Sequence, residues 1–433
     1  MQITMNYGRQ GLTLELPDEW DVTVVNKRPM PVHPAPEEAI RQALEKPVGC
    51  APLQELASGA QSACILICDI TRPVPNGLVL PILLRKLLDA GMEQDNITIM
   101  VATGLHRPNE NQELRELVGD DWVMDNFRVV NHFARNDQDH VEVGTTSRGT
   151  VAKLDRRFVE AELRIATGLV EPHFMAGYSG GRKVITPGVA HRDTITRLHT
   201  ATFMEHPRAV NCVLEGNPLH EEQLEIVKLL GGAYAVNTVI DEHRRLSFVN
   251  FGEIVQSHLE AVEYMRPYAE LLLPRPFKTV ITSSAGYPLD KTYYQTVKGM
   301  VGAQEILEPG GDLYIVSEIS EGMGSPEYVQ AQKKLIELGM DGFLEDIKPL
   351  QFAHIDEWQT EMQLKPMRIG KIRLYTQGLS KQDQALTGVE VIDSLEELYQ
   401  ALRRSVERDP ERRVAVIPEG PYVLPFLESN APS

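Results

Sequence analysis

Apolar residues fall along this chain in short unbroken runs, separated by stretches in which they recur every three or four positions. The runs read as strands buried on both faces and the periodic stretches as helices packed on them. Strands are expected at 2–7, 11–16 and 21–27, then a Pro-rich connector at 29–36 and helices at 37–45 and 52–60. The compact run 63–68 ends in a polar loop kept extended by Pro73 and Pro75, and a helix follows at 79–90. Strand 97–102 leads through another polar loop to a helix at 110–118, and strand 163–170 ends in a glycine-rich stretch. Residues 195–203 read as helical, 219–230 as an amphipathic helix, 233–240 and 246–251 as strands, and 254–272 as a helix kinked at Pro267. After a hinge-like Leu273-Pro-Arg-Pro276 the pattern restarts. It gives strands at 279–282, 313–317, 372–376, 389–392 and 413–417, with helices around Tyr294 and at 326–338, 356–364 and 395–406.

Repeated strand–loop–helix units indicate an α/β fold built on mainly parallel sheets with flanking helices. With 433 residues, two domains are expected. The hinge divides them into 1–272 and 273–433, the last residues being candidates to return to the first domain.

A hydrophobic content of 42% and a charged content of 24% are those of a globular protein. The net charge of −18 and a pI near 5.2 argue against nucleic acid or an anionic membrane as partner. An anionic substrate then needs its own local cation. The start shows no signal-peptide pattern, and the most apolar run, 78–88, is interrupted by Pro81, Arg85 and Lys86. Cys50, Cys64, Cys68 and Cys212 have no metal-finger spacing. A cytoplasmic, reduced protein is expected.

Candidate chemistry gathers where strands end, the place where open α/β sheets bind ligands. Strand 63–68 runs into Asp69 and Arg72, strand 97–102 into His106 and Arg107, and strand 163–170 into Glu171-Pro-His-Phe-Met-Ala-Gly-Tyr-Ser-Gly-Gly-Arg-Lys183. That stretch is neither a P-loop, since Arg182 precedes Lys183 and Val184 follows it, nor a G-x-G-x-x-G fingerprint. Lys183 is open to three uses: phosphate binding, nucleophilic attack or plain solvation. His106, His173 and His199 each have an ordinary structural reading. Two histidines facing one pocket suit acid–base work, and a third suits a transition metal. Arg72 and Lys298 are candidates to hold a carboxylate, against surface pairing and solvation.

Asp69-x-x-Arg72-Pro, Gly104-Leu-His106-Arg107, Glu171-Pro-His173, Ala176-Gly-Tyr-Ser-Gly-Gly-x-Lys183, His199, Tyr294-Gln295-x-x-Lys298-Gly and Trp358 occur in this order. Together they resemble the nickel-pincer nucleotide-dependent lactate racemase family over nearly the whole chain. The resemblance implies a 2-hydroxy acid racemase or epimerase, acting on lactate or a short-chain analogue. Its cofactor would be the pyridinium-3,5-bisthiocarboxylic acid mononucleotide of nickel, tethered to Lys183. The cofactor cradle would include Gly177, Tyr178, Ser179, Gly180 and Gly181, with Asp69 at the cofactor end of the site. His199 would be the protein's nickel ligand, and His106 and His173 the alternating acid–base pair. Arg72 and Lys298, helped by Gln295, would grip the substrate carboxylate, with Tyr294 and Trp358 beside it. The site would lie in the cleft between a catalytic first domain and a second that closes over it. Cofactor-biosynthesis proteins would be partners; oligomeric state is not legible.

Met175 beside His173 bears on pocket size. Tyr294 and the lack of an evident extra cation favour a short, uncharged substrate side chain, unless Arg107 reaches a second carboxylate. The rival readings are an NAD-dependent 2-hydroxy acid oxidoreductase, disfavoured by the missing dinucleotide fingerprint, and a non-catalytic nickel or nucleotide carrier. A carrier has no use for the His106 and His173 pair.

Overall fold

The structure, a computed structural model, describes residues 1–430. The chain divides into two units, neither continuous in sequence. One comprises Pro29–Leu198 with Leu214–Arg266; the other comprises Met1–Arg28, His199–Val213 and the residues from Pro267 onward.

The first unit is built on a six-stranded sheet in the spatial order Leu246–Glu253, Tyr234–Ile240, Leu163–Leu169, Ala63–Cys68, Ile97–Ala102, Arg128–Asn131. Only the first pair is antiparallel. Ile65, Leu66 and Ile67 have no exposed surface, which is why this central strand is apolar without alternation. Register decides what the strands deliver. Cys68 lies opposite Ala102, and Leu66 opposite Ala166. The loops that begin at Asp69, Thr103 and Val170 therefore leave one and the same sheet edge.

The second unit carries a fully parallel six-stranded sheet, ordered Glu390–Ile392, Lys371–Tyr375, Leu307–Val316, Phe277–Ser283, Arg413–Ile417, Asp21–Val24. The division expected at 272/273 comes close to Pro267, but residues 1–28 and 199–213 belong with the C-terminal residues. Strand pairing explains the first of these: Asp21–Val24 lies parallel to Arg413–Ile417, with Val24 opposite Val416. Ile3, Met5, Leu14 and Trp20 then bury against Tyr314, Val316 and Val414. The last strand, Leu424–Leu427, pairs with Glu270–Leu273 of its own unit and does not return to the first sheet.

Two local expectations are corrected. The helix read over 254–272 ends at Ala269, just past Pro267, and Glu270–Leu273 extends as a strand. The helix read over 195–203 is two, Arg192–Leu198 and Ala201–Met204, because Thr200 is extended (φ −72°, ψ 156°) and starts the second; His199 sits at the break. Strand Arg128–Asn131 and the hairpin His140–Thr145/Val151–Asp155 have no apolar run to announce them and add to the expected elements. No helix among the described residues is long and apolar enough to cross a membrane.

Gly188 shows how tightly the sheet edge is packed. It accepts a hydrogen bond from the Gly104 N–H (2.9 Å), and a Cβ there would lie 2.0 Å from the Val184 carbonyl oxygen and 2.9 Å from Ala102 Cβ. Gly188→Ala is expected to cost about 1–3 kcal/mol of stability. A denaturant midpoint equal to that of the wild type would contradict this packing.

Candidate active site

At the shared edge of the first sheet, Asp69 is buried and its two oxygens are both used. Oδ1 accepts from the Thr71 hydroxyl (2.5 Å) and backbone N–H (3.1 Å), while Oδ2 faces His106 Nδ1 at 2.5 Å. Burial alone would raise this carboxyl's pKa. His106, Thr71 and Arg72 outweigh it and hold the carboxyl at about 2. An ionised Asp69 can only accept, so Nδ1 of His106 carries a proton. Asp69, expected at the cofactor end of the site, lies against the His106 ring. Arg72 forms an ion pair with Glu171, two residues before His173. Arg107 instead turns to Glu113, with both terminal nitrogens at 2.7 Å from its carboxylate oxygens.

The glycine-rich stretch begins as a tiny hairpin in which Pro172 pairs with Tyr178 and His173 with Gly177. His173 is buried, and its Nδ1 accepts from the backbone N–H groups of Met175 (3.3 Å) and Ala176 (3.2 Å). Gly177 and Gly180 have φ of 75° and 77°, and Gly181 has φ 47° with ψ −123°, conformations open to glycine. Tyr178 is fully buried. The Ser179 hydroxyl donates to the Leu169 carbonyl (2.7 Å) and accepts from the Glu171 N–H (3.1 Å). Both residues shape the loop from within.

Arg182 was passed over in the sequence, yet it is the largest fully buried side chain. Nε donates to His220 Nδ1 (2.9 Å), Nη1 to the Tyr178 carbonyl (2.9 Å) and Nη2 to the Ala176 carbonyl (2.9 Å); His258 Nε2 lies 2.9 Å from Nη1. None of these partners is a carboxylate. Burial lowers the guanidinium to about 9, and burial together with Arg182 lowers His220 to about 3 and His258 well below its ordinary value. Adjacent Lys183 is partly buried on the short helix Arg182–Ile185. Burial, then Arg72 and Arg182, bring its ammonium down to about 7, so near neutral pH much of it is a free amine. His220 and His258 lie on helices Pro218–Leu229 and Ile254–Ala269, and no sequence motif ties them to Arg182.

The remaining predicted residues cluster in the second unit. The His199 and Trp358 rings lie 4.4 Å apart, centroid to centroid, and Trp358 Nε1 donates to the Tyr294 hydroxyl (3.3 Å). Gln359 donates to the Tyr294 carbonyl at 2.6 Å, fastening helix Glu357–Ile369 to helix Tyr293–Gly302. Burial and Asp356 raise the Tyr294 phenol well above its ordinary value and keep it neutral. Gln295 keeps a buried side-chain oxygen without a partner, and Lys298 follows one turn later on the same helix. Among the described residues no three His, Cys, Asp or Glu side chains converge in a metal-holding group. The predicted residues thus fall into two clusters, each described within its own unit.

Residues 7–211 match the family described as the lactate racemase N-terminal domain, and residues 274–424 the lactate racemase C-terminal domain. The lactate racemase of Thermoanaerobacterium thermosaccharolyticum is 36% identical over 324 residues, 74% of this chain and 75% of that protein. The lactate racemase of Lactiplantibacillus plantarum is 31% identical over 324 residues, 74% and 76% of the two chains. The structure of the T. thermosaccharolyticum lactate racemase apoprotein superposes with a TM-score of 0.88 at 29% identity, covering 98% of this chain and 100% of that one. A Thermotoga maritima protein shares the fold, with a TM-score of 0.70 at 18% identity over 90% and 98% of the chains.

Proposed function

Because this chain belongs to the lactate racemase family, whose members are isomerases, we propose that it interconverts the enantiomers of a short 2-hydroxy acid, lactate or a close analogue. It would do so with a nickel-pincer nucleotide joined to Lys183 and assembled by separate biosynthetic proteins. The observation that carries the reading is the meeting, at one sheet edge, of a carboxylate-backed histidine, a second histidine and a lysine poised as a free amine.

The residues present fit that cofactor. Lys183 offers the uncharged amine that a thioamide link requires, and His199 offers a single imidazole to a metal otherwise held by the nucleotide. When bound, the cofactor supplies the acceptor and donor of a hydride, which spares the enzyme from removing C2–H as a proton. The chain does the rest. His106 Nε2 takes the hydroxyl proton, so the substrate carbon is left as a neutral ketone and not a dianion. The resulting imidazolium keeps its Nδ1–H on Asp69. His173 serves the oxygen when the other face is used. Arg72, oriented by Glu171, and Lys298 with Gln295 hold the carboxylate. Trp358 and Tyr294, which stays a neutral phenol, give that grip an uncharged wall.

With Arg107 engaged by Glu113, the cation that a second substrate carboxylate would need is committed elsewhere. Loaded enzyme is expected to convert either enantiomer of lactate or 2-hydroxybutyrate to an equal mixture and to leave malate unchanged, as read by chiral chromatography. Racemisation of malate alone would overturn the assignment of a short, uncharged side chain.

The lowered ammonium has its own test. In the unloaded protein, acylation of Lys183 by an N-hydroxysuccinimide ester should rise with pH to half its limit near about 7, well below an ordinary lysine at ~10.4. Peptide mass mapping across pH reads this directly. A Lys183 profile that coincides with those of surface lysines would remove the basis for its role as nucleophile.

A further inference from the structure

The two histidines of the proposed pair are held by opposite kinds of partner, and the difference lies on the nitrogen that faces away from the chemistry. At His106 the Nδ1 partner is the Asp69 carboxylate, which accepts and cannot donate. At His173 the Nδ1 partners are two backbone N–H groups, Met175 and Ala176, which donate and cannot accept. In a neutral imidazole one nitrogen bears the proton and the other the lone pair, and the partner of one nitrogen fixes the state of the other.

We propose that the resting protein holds these rings in opposite neutral tautomers, His106 with its proton on Nδ1 and a lone pair on Nε2, His173 with a lone pair on Nδ1 and its proton on Nε2. Asp69 and the Met175–Ala176 peptide segment are then positioning groups that make the pair unequal before substrate arrives. Each holder is built into the fold. Asp69 is anchored by Thr71, and its low pKa keeps it an acceptor throughout the neutral range. The Met175 and Ala176 amides are fixed because the Ala176 carbonyl is tied to Arg182 Nη2 and the Met175 carbonyl accepts from Asn217 Nδ2, both at 2.9 Å.

The consequence rests on the racemase reading. His106 is the ready base. His173 starts as a hydrogen-bond donor suited to polarise a carbonyl, the role a neutral imidazole takes when its far nitrogen accepts from backbone. For His173 to act as a base, its proton must move from Nε2 to Nδ1. One N–H bond breaks and one forms with no change in net charge, and two backbone donors then face an N–H instead of a lone pair. The enantiomer whose hydroxyl faces His173 therefore meets the slower start.

The test is the ¹⁵N spectrum of the ring nitrogens in unloaded, full-length protein labelled at histidine, recorded above the pH at which the rings titrate. The two rings are assigned by the peaks that vanish in His106→Gln and His173→Gln, or in the asparagine variants if either glutamine variant fails to fold. The expected result is a pyrrole-like Nδ1 and pyridine-like Nε2 for His106, and the reverse for His173. Asp69→Ala should move only the His106 pattern, toward the Nε2–H form that histidine prefers when unrestrained. The same tautomer in both rings, or an unmoved His106 in that variant, overturns the proposal; the wild-type spectrum decides by itself if the variant is unstable. Because no cofactor is involved, the outcome is separate from the racemase reading. Matching tautomers sink the inference alone, whereas an unmodified Lys183 in loading cells would sink the racemase reading and leave the tautomers standing.

Discussion

Lys183→Ala is expected to lose racemisation to the background rate while keeping the fold. Its side chain, on the short helix after the Ala176–Gly181 loop, is the proposed attachment point of the cofactor. Lys183→Arg separates the tether from the charge: a guanidinium restores the positive site but cannot form the thioamide, so this variant should be as inactive as the alanine. Activity retained in Lys183→Arg would show that charge, and not the covalent link, is what the position supplies.

The same lysine makes a stability prediction with a definite sign. Its folded-state pKa, about 7, lies below the ordinary 10.5, so between these values the unfolded chain binds more protons and this group's contribution to stability rises with pH. Below about pH 7 the penalty for holding a charged Lys183 in the fold is fully present. Unloaded Lys183→Met should therefore be more stable than wild type in that range, with the advantage shrinking as pH approaches 10.5. A stability difference independent of pH would contradict the lowered ammonium.

His106→Ala and His173→Ala form the second large expectation. Each removes a proposed acid–base group, a kind that contributes about 10²–10⁴-fold in kcat, and in neither should cofactor loading at Lys183 change. Both are also expected to lower stability. Removing His106 leaves Oδ2 of the buried Asp69 carboxylate without its Nδ1–H donor, and removing buried His173 leaves the Met175 and Ala176 amides without their acceptor. An unpaired buried donor costs about 1–3 kcal/mol, so His173→Ala should unfold at lower denaturant. Full activity in either variant, with adduct present, would remove that histidine from the mechanism.

Much of this was legible in the sequence because of where the strands run. Ala63–Cys68, Ile97–Ala102 and Leu163–Leu169 are buried on both faces, so they appear as unbroken apolar runs and their polar ends stand out. That pattern yields the α/β class and the loops bearing Asp69, His106 and His173. It does not yield the contact between Asp69 and His106, which depends on Cys68 lying opposite Ala102 across the sheet. Nor does it yield the setting of Arg182, whose partners His220 and His258 come from helices far along the chain. The grouping of residues 1–28 with the C-terminal residues is hidden for a similar reason. Asp21–Val24 reads as a strand from its own residues, but nothing local says that its partner is Arg413–Ile417.

The central claim is the attachment at Lys183. It is tested most directly by the intact mass and nickel content of the protein co-expressed with cofactor-synthesis genes, followed by peptide mapping. The account predicts a nucleotide-sized mass increase carried by the peptide that contains Lys183, together with about one nickel per chain. An unmodified Lys183 peptide, from cells shown to load a control racemase, would contradict it.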